Sequence, residues 1–263
     1  MPASQETVVA YVVEQAERLR PQTVKKHLAA ISQMHQLAGE DSPVQSTPVR
    51  LVMQGLRRTK GVASQPKKAL RVSHLKSMVA VVPDTDVGIR DRALLLLGFA
   101  AGMRRSELVG LNVEDLDFQP EGIVATIKRS KRDQEGRGRQ VAVPRGRYPG
   151  TCPVRAVQRW LDVSGIKSGP LFVRLDRATE GRSRLSGRSV ALIVKKAADQ
   201  AGLDPEMFAG HSLRRGFCTE TARAGAAERD IARTTGHSSL AVLRGYVEAG
   251  QLFERCAAQV LDL

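Results

Sequence analysis

"EDLDFQPEGIVATIKRSKRDQEGRGRQVAVPRG", residues 114–146, is where the sequence changes its period. On either side apolar residues recur every three or four positions. Within it, "EDLDFQP", "GIVATIKRSKR" and "RGRQVAVPRG" are short β-prone runs bounded by Pro and Gly, which predicts three short strands, the last two joined by a hairpin at "DQEGRG". A small antiparallel sheet set among helices makes the chain mainly α with a small antiparallel β-sheet, an α+β class.

Moving outward, "GIRDRALLLLGFAAG" predicts a long buried helix stopped at Gly102, preceded by a helix opened by Ser73. Beyond the strands, helical patterns cover 153–164, 187–201, 212–224, 226–235 and 239–262. At the other end, "TVVAYVVEQAERL" and "PQTVKKHLAAISQMHQLAG" predict two helices. "STPVRLVMQGLRRTK" predicts a third, with Thr47 as cap and Pro48 at the first helical position. Periodicity fails in "GVASQPKKAL", which collects Gly, Ser, Pro and Lys as linkers do. The expected organisation is a helical domain over 1–62, a linker over 63–70 and a larger domain over 71–263.

Forty-one Lys and Arg against 27 Asp and Glu give a formal charge of +14, which favours a polyanionic partner. Only six Phe, three Tyr and one Trp are available to stack on unpaired bases, so duplex backbone is the expected target rather than single strands. Residues 50–71 carry seven basic residues and no acid, and residues 126–147 carry eight against two. Either stretch alone is an ordinary solvated surface; together they suit an arm and a hairpin lying on phosphates. Cys152, Cys218 and Cys256 are odd in number and widely spaced, which suggests neither disulfides nor a zinc knuckle and fits a reducing cytoplasm. The longest apolar run, Ala93–Ala101, falls well short of the ~20 residues a membrane span needs, so no membrane partner is expected.

Three clusters carry chemistry. In "GMRRSELVGL", Arg104 follows a glycine stop and Glu107 lies three residues on, on the same side of the next helical turn. In "HSLRRGF", His211 and Arg214 can point to one spot from the start of a helix, where unpaired amides favour an anion. In "GHSSLAVLRGY", His237 and Tyr246 are nine positions apart, and Lys131 lies near the turn of the basic hairpin. Each has a bland reading as a salt bridge, a cap or an amphipathic ring. Combined, they make a coherent set: arginines that fork onto a phosphate, a tyrosine that attacks phosphorus, a lysine that protonates a leaving oxygen and histidines that move protons. Such a set needs no metal, so no metal cofactor is expected.

The ordered series G-x-R-x-S-E (Gly102–Glu107), S-K-x-x-x-x-G (Ser130–Gly136), H-x-L-R (His211–Arg214) and G-H-S-S with a tyrosine nine beyond the histidine resembles the tyrosine site-specific recombinases, the phage integrase family. The resemblance runs over nearly the whole chain. Residues 1–62 resemble that family's core-binding domain without the helix that commonly precedes it, an absence that would leave a DNA clamp short of one element. It implies that Arg104 and Arg214 clamp the scissile phosphate, supported by Glu107, and that Lys131 protonates the leaving 5′-hydroxyl. His211 would act as acid/base and His237 as a phosphate donor, while Tyr246 would form a 3′-phosphotyrosine link. Double-stranded DNA and, through the tail "GQLFERCAAQVLDL", a homotetramer on two sites are the implied partners.

The doublets Arg104–Arg105 and Arg214–Arg215 and the nearby Lys128 leave the assignment open by one to three positions. Two other functions stay open: a tyrosine-type topoisomerase that relaxes DNA without site preference, and a catalytically silent DNA-binding protein. The host element, phage, plasmid, transposon or chromosome, has no signature in the sequence.

Overall fold

The computed structural model describes residues 2–61, 67–128, 138–175, 183–237 and 240–250. The chain divides into two compact units, Met1–Pro66 and Lys67–Leu263.

The first unit contains helices α1 (Gln5–Arg18), α2 (Pro21–Leu37) and α3 (Thr47–Lys60). Ser4 caps α1 by accepting from the Thr7 N–H, and Pro21 opens α2 at a position where its missing N–H costs nothing. The cap of α3 is Ser46 rather than Thr47, which is itself the first helical residue. Ser46 takes the extended backbone of a cap, and Pro48 sits comfortably one place further in, still within the first turn. Val8 and Val12, Val24 and Leu28, and Val49, Met53 and Leu56 face inward at helical spacing and form the unit's core.

The second unit is built around α5 (Asp86–Ala100), whose residues 93–99 are buried on every side, as only a central helix can be. Around it lie α4 (Val72–Val81), α6 (Arg105–Gly110), α7 (Pro153–Ser164), α8 (Gly187–Gln200) and α9 (Gly210–Arg223). The chain's single tryptophan, Trp160, is fully buried and donates its Nε1–H to the Leu171 carbonyl at 2.7 Å. Of the stretch read as a linker, Lys68 and Leu70 donate their N–H groups to Met207 and Ser212, and Leu70 is fully buried.

Three strands, β1 (Leu116–Gln119), β2 (Gly122–Ile127) and β3 (Arg139–Pro144), pair antiparallel in sequence order. Ile123, Ala125 and Ile127 of β2 and Val141 and Val143 of β3 turn one face to the core. Opposite Ile127 stands Arg139, in the inward register of β3. The hairpin tip with Lys131 lies outside the described residues, as does the tail from 251 onward.

A satellite core joins α9 to α10 (Glu228–Thr235) and α11 (Leu240–Gly250) through Cys218, Ala222, Ile231, Leu243 and Val247. Leu243 and Val247, one turn apart, bind α11 to this cluster and so fix where Tyr246 stands. No described helix is long and apolar enough to cross a membrane.

Candidate active site

Two tight glycines bring the site's segments together. After α5 the chain turns at Gly102 (φ +56°), where a Cβ would lie 2.6 Å from the Phe217 ring and 2.8 Å from the Thr235 methyl. After α10 it turns at Gly236 (φ +64°), a left-handed helix stop. Arg104 lies two residues beyond the first turn and His237 directly after the second.

Arg104 is the N-cap of α6, and Glu107, at its third position, accepts from the Arg104 N–H at 2.9 Å, half of a capping box. Arg104 Nη1 donates to Glu107 Oε1 at 2.5 Å and Nη2 to the Gly236 carbonyl at 3.1 Å. From β3, Arg139 forks onto the same carboxylate, Nη1 to Oε1 at 3.1 Å and Nη2 to Oε2 at 2.8 Å. The Glu107 side chain has no solvent exposure. Burial alone would push its carboxyl up, but the Arg139 hydrogen bonds, the Arg104 amide and the adjoining positive charge outweigh it and hold the group down to about 2.

Arg214, at the start of the second turn of α9, is buried. Its Nη1 donates to the Gly102 carbonyl at 2.8 Å and the Thr235 carbonyl at 2.6 Å, and its Nη2 lies 3.2 Å from His237 Nε2. Desolvation, then the charge of Arg104, draws its guanidinium down to about 10, still fully charged at neutral pH.

The C-terminus of α10 ties these arginines together. Thr234, Thr235 and Gly236 present three successive carbonyls, which accept from Arg139, Arg214 and Arg104 respectively. Helix-end carbonyls lack intrahelical partners and carry the negative pole of the helix dipole, so they suit three like-charged side chains that would otherwise repel.

His237 follows immediately. An arginine N–H can only donate, so Nε2 accepts from Arg214, and Nδ1–H faces the Thr235 hydroxyl at 2.6 Å; that hydroxyl in turn donates to the Ile231 carbonyl at 2.6 Å. The His237 and Tyr246 rings lie 6.2 Å apart, and the Arg215 guanidinium sits over the Tyr246 ring at 5.3 Å. His211 stands exposed on the first turn of α9, with no hydrogen-bond partner among the described residues. Desolvation, then the charges of Arg105, Arg214, Arg104 and Arg215, hold its ring below the usual histidine range.

The structure therefore brings Arg104, Glu107, Arg214, His237 and Tyr246 into one neighbourhood, with His211 close enough to feel the same guanidiniums. The doublets differ in environment. Arg105 is exposed, with its stem against Gly210, and Arg215 donates to the Lys67 carbonyl, whereas Arg104 and Arg214 converge on α10. Lys128 pairs with Asp115 at 2.5 Å. Sequence reasoning missed Arg139 and Thr235. Arg139 carried a usable signal: it alternates with Val141 and Val143, so a full charge occupies the apolar register of a strand.

Known proteins resemble this chain over most of its length. The phage integrase family pattern matches residues 68–251. An integrase/recombinase XerD homolog of Selenomonas ruminantium is 40% identical over 259 residues, 97% of this chain and 76% of that protein. The recombinase Cre of Escherichia phage P1 is 26% identical over 94% of this chain and 76% of its own length. The fold is shared with the Tn1549 transposon integrase in complex with transposon right end DNA (TM-score 0.69, 16% identity, 93% and 80% of the two chains). It is shared also with XerH recombinase bound to palindromic difH substrate (TM-score 0.62, 17% identity, 94% and 74%).

Fold and relatives define the class as tyrosine recombinase, an enzyme of site-specific recombination. The chain belongs to the phage integrase family.

Proposed function

We propose that the protein cleaves and rejoins duplex DNA at specific sites through a covalent 3′-phosphotyrosine intermediate. The observation that carries this reading is the convergence of Arg104, Arg214 and His237 at the end of α10, with Tyr246 beside His237. Arg104 and Arg214 grip the non-bridging oxygens of the scissile phosphate, where charge builds as phosphorus becomes five-coordinate. The Tyr246 oxygen attacks phosphorus, the bond to the 5′-oxygen breaks, and His211 takes the phenolic proton. Lys131 supplies a proton to the departing 5′-hydroxyl, and His237 donates to the phosphate. Attack by that hydroxyl, or by one from a partner duplex, reverses the step, so bond energy is kept without a nucleotide. Residues 1–62 form the second DNA-binding element, and four protomers act on two sites. The DNA-bound state of structural neighbours supports duplex DNA as the partner.

The test uses a binding site selected from a randomised duplex pool and nicked so that the cleaved end diffuses away. Wild type accumulates a covalent protein–DNA band; Tyr246→Phe binds with unchanged affinity and forms none. An adduct in the Phe variant places the nucleophile elsewhere.

A further inference from the structure

Arg139 is a half-buried charge in this neighbourhood without a place in the chemistry above. Resting on the reading of Arg104, Arg214 and Tyr246 as the cleavage site, we propose that Arg139 is a positioning residue. It locks Glu107 and the end of α10 so that Arg104 is held ready before DNA arrives.

Three observations support the assignment. Each of the three nitrogens of Arg139 donates internally: both Nη atoms to the two Glu107 oxygens, and Nε to the Thr234 carbonyl at 3.3 Å. Those contacts tie it to Glu107 and the end of α10, which assigns it to acting through other residues. Its guanidinium also lies flat against Gly236, where a Cβ would come within 3.0 Å of Nη1, and Gly236 is the residue whose carbonyl receives Arg104. Glu107 is shared: Oε1 takes Arg104 and Arg139, Oε2 takes the Arg104 amide and Arg139. Without the fork from β3, the buried carboxylate would be held by Arg104 alone, and Arg104 would be drawn toward Glu107 rather than shared with Gly236.

A lysine at 139 keeps the charge but cannot fork onto two oxygens while holding a third acceptor. In the full-length protein on the nicked duplex, R139K should therefore slow cleavage roughly tenfold or more, short of the loss expected from removing a phosphate donor itself. Duplex affinity should stay near wild type while the rate falls, a split that general unfolding does not produce. In an R104A background the same substitution should cost almost nothing further, because the effect runs through Arg104. Should Arg139→Ala fail to fold, R139K decides the matter. Cleavage within about threefold of wild type, an equal fall in affinity and rate, or an undiminished loss in the R104A background would each overturn the proposal. An adduct formed by Tyr246→Phe overturns the site reading itself. Absence of that adduct, with R139K at full rate, removes only the role of Arg139.

Discussion

Glu107→Gln tests the electrostatic frame of the site, because it removes one charge and almost no volume. The Glu107 carboxyl is lowered from 4.5 to about 2 in the folded protein, and each pKa unit is worth about 1.4 kcal/mol, so the ionised form contributes about 3 kcal/mol. Gln loses that increment and turns an amide N–H toward guanidiniums that also only donate; the result sits within the roughly 3–5 kcal/mol range for breaking a buried pair. Because the folded-state pKa is depressed, the increment is fully present above 4.5 and disappears as pH falls toward 2. Between pH 7 and pH 3 the gap between wild type and variant should close by about 2 kcal/mol. Trp160, single and buried in the core of the second unit, reports that unit's unfolding by fluorescence. At a urea slope of roughly 2 kcal/mol/M the variant's midpoint at pH 7 should drop by about 1.5 M. A gap below about 1 kcal/mol at pH 7, or one as wide at pH 3 as at pH 7, would refute the reasoning.

Arg214→Lys replaces a fork that spans two carbonyls and His237 by a single point charge; single-turnover cleavage should fall roughly 10²-fold, and a loss under threefold would shift the role to Arg215. Lys131→Ala should slow cleavage of an ordinary duplex yet recover when the 5′-oxygen is replaced by sulfur, which leaves without a proton; rescue of Lys128→Ala instead would move the acid to Lys128. His211 has its pKa lowered, so as a base it stays neutral at pH 7, and the acid limb of kcat/KM should fall below the ordinary 6.5. Bound phosphate offsets the surrounding guanidiniums, so the limb of the DNA-bound step should lie higher; His211→Gln should flatten both, and an unchanged limb would acquit His211.

The elements legible in the sequence were those whose burial is written in side-chain period. Residues 93–100 of α5 are apolar all round, the alternating run of β3 marks its inward face, and Gly102 marks a left-handed stop. Arg104, Glu107, His211 and Arg214 were legible because short spacings on one helix turn already imply a common direction. What holds them was not. The acceptors for three arginines are the carbonyls of Thr234, Thr235 and Gly236, and a carbonyl leaves no mark in the sequence, since every residue has one. Ser46 and Thr47 are both good caps, so the start of α3 was settled by backbone conformation that composition does not encode. Arg139 was readable in principle, but eight basic residues in 22 positions drew attention to charge in bulk rather than to the one charge in an apolar register.

His237 illustrates how this hidden scaffold bears on chemistry. A phosphate donor needs a proton on Nε2, yet in the DNA-free geometry Nε2 accepts from Arg214 while Nδ1–H is committed to the Thr235 hydroxyl. That hydroxyl has a single proton, already given to the Ile231 carbonyl, so Nδ1 cannot become the acceptor without breaking a buried contact. These contacts favour the neutral tautomer with its proton on Nδ1, which does not donate from Nε2. On the proposed mechanism an arriving phosphate draws the Arg214 N–H away from Nε2, and the ring donates from that nitrogen. Thr235→Val, which keeps the shape and removes the hydroxyl, frees the ring to place its neutral proton on Nε2. Single-turnover cleavage by the variant at pH 7 should then equal or exceed that of wild type, with DNA affinity little changed. A loss of roughly tenfold or more would mean that the Thr235 hydroxyl holds the ring for donation rather than against it.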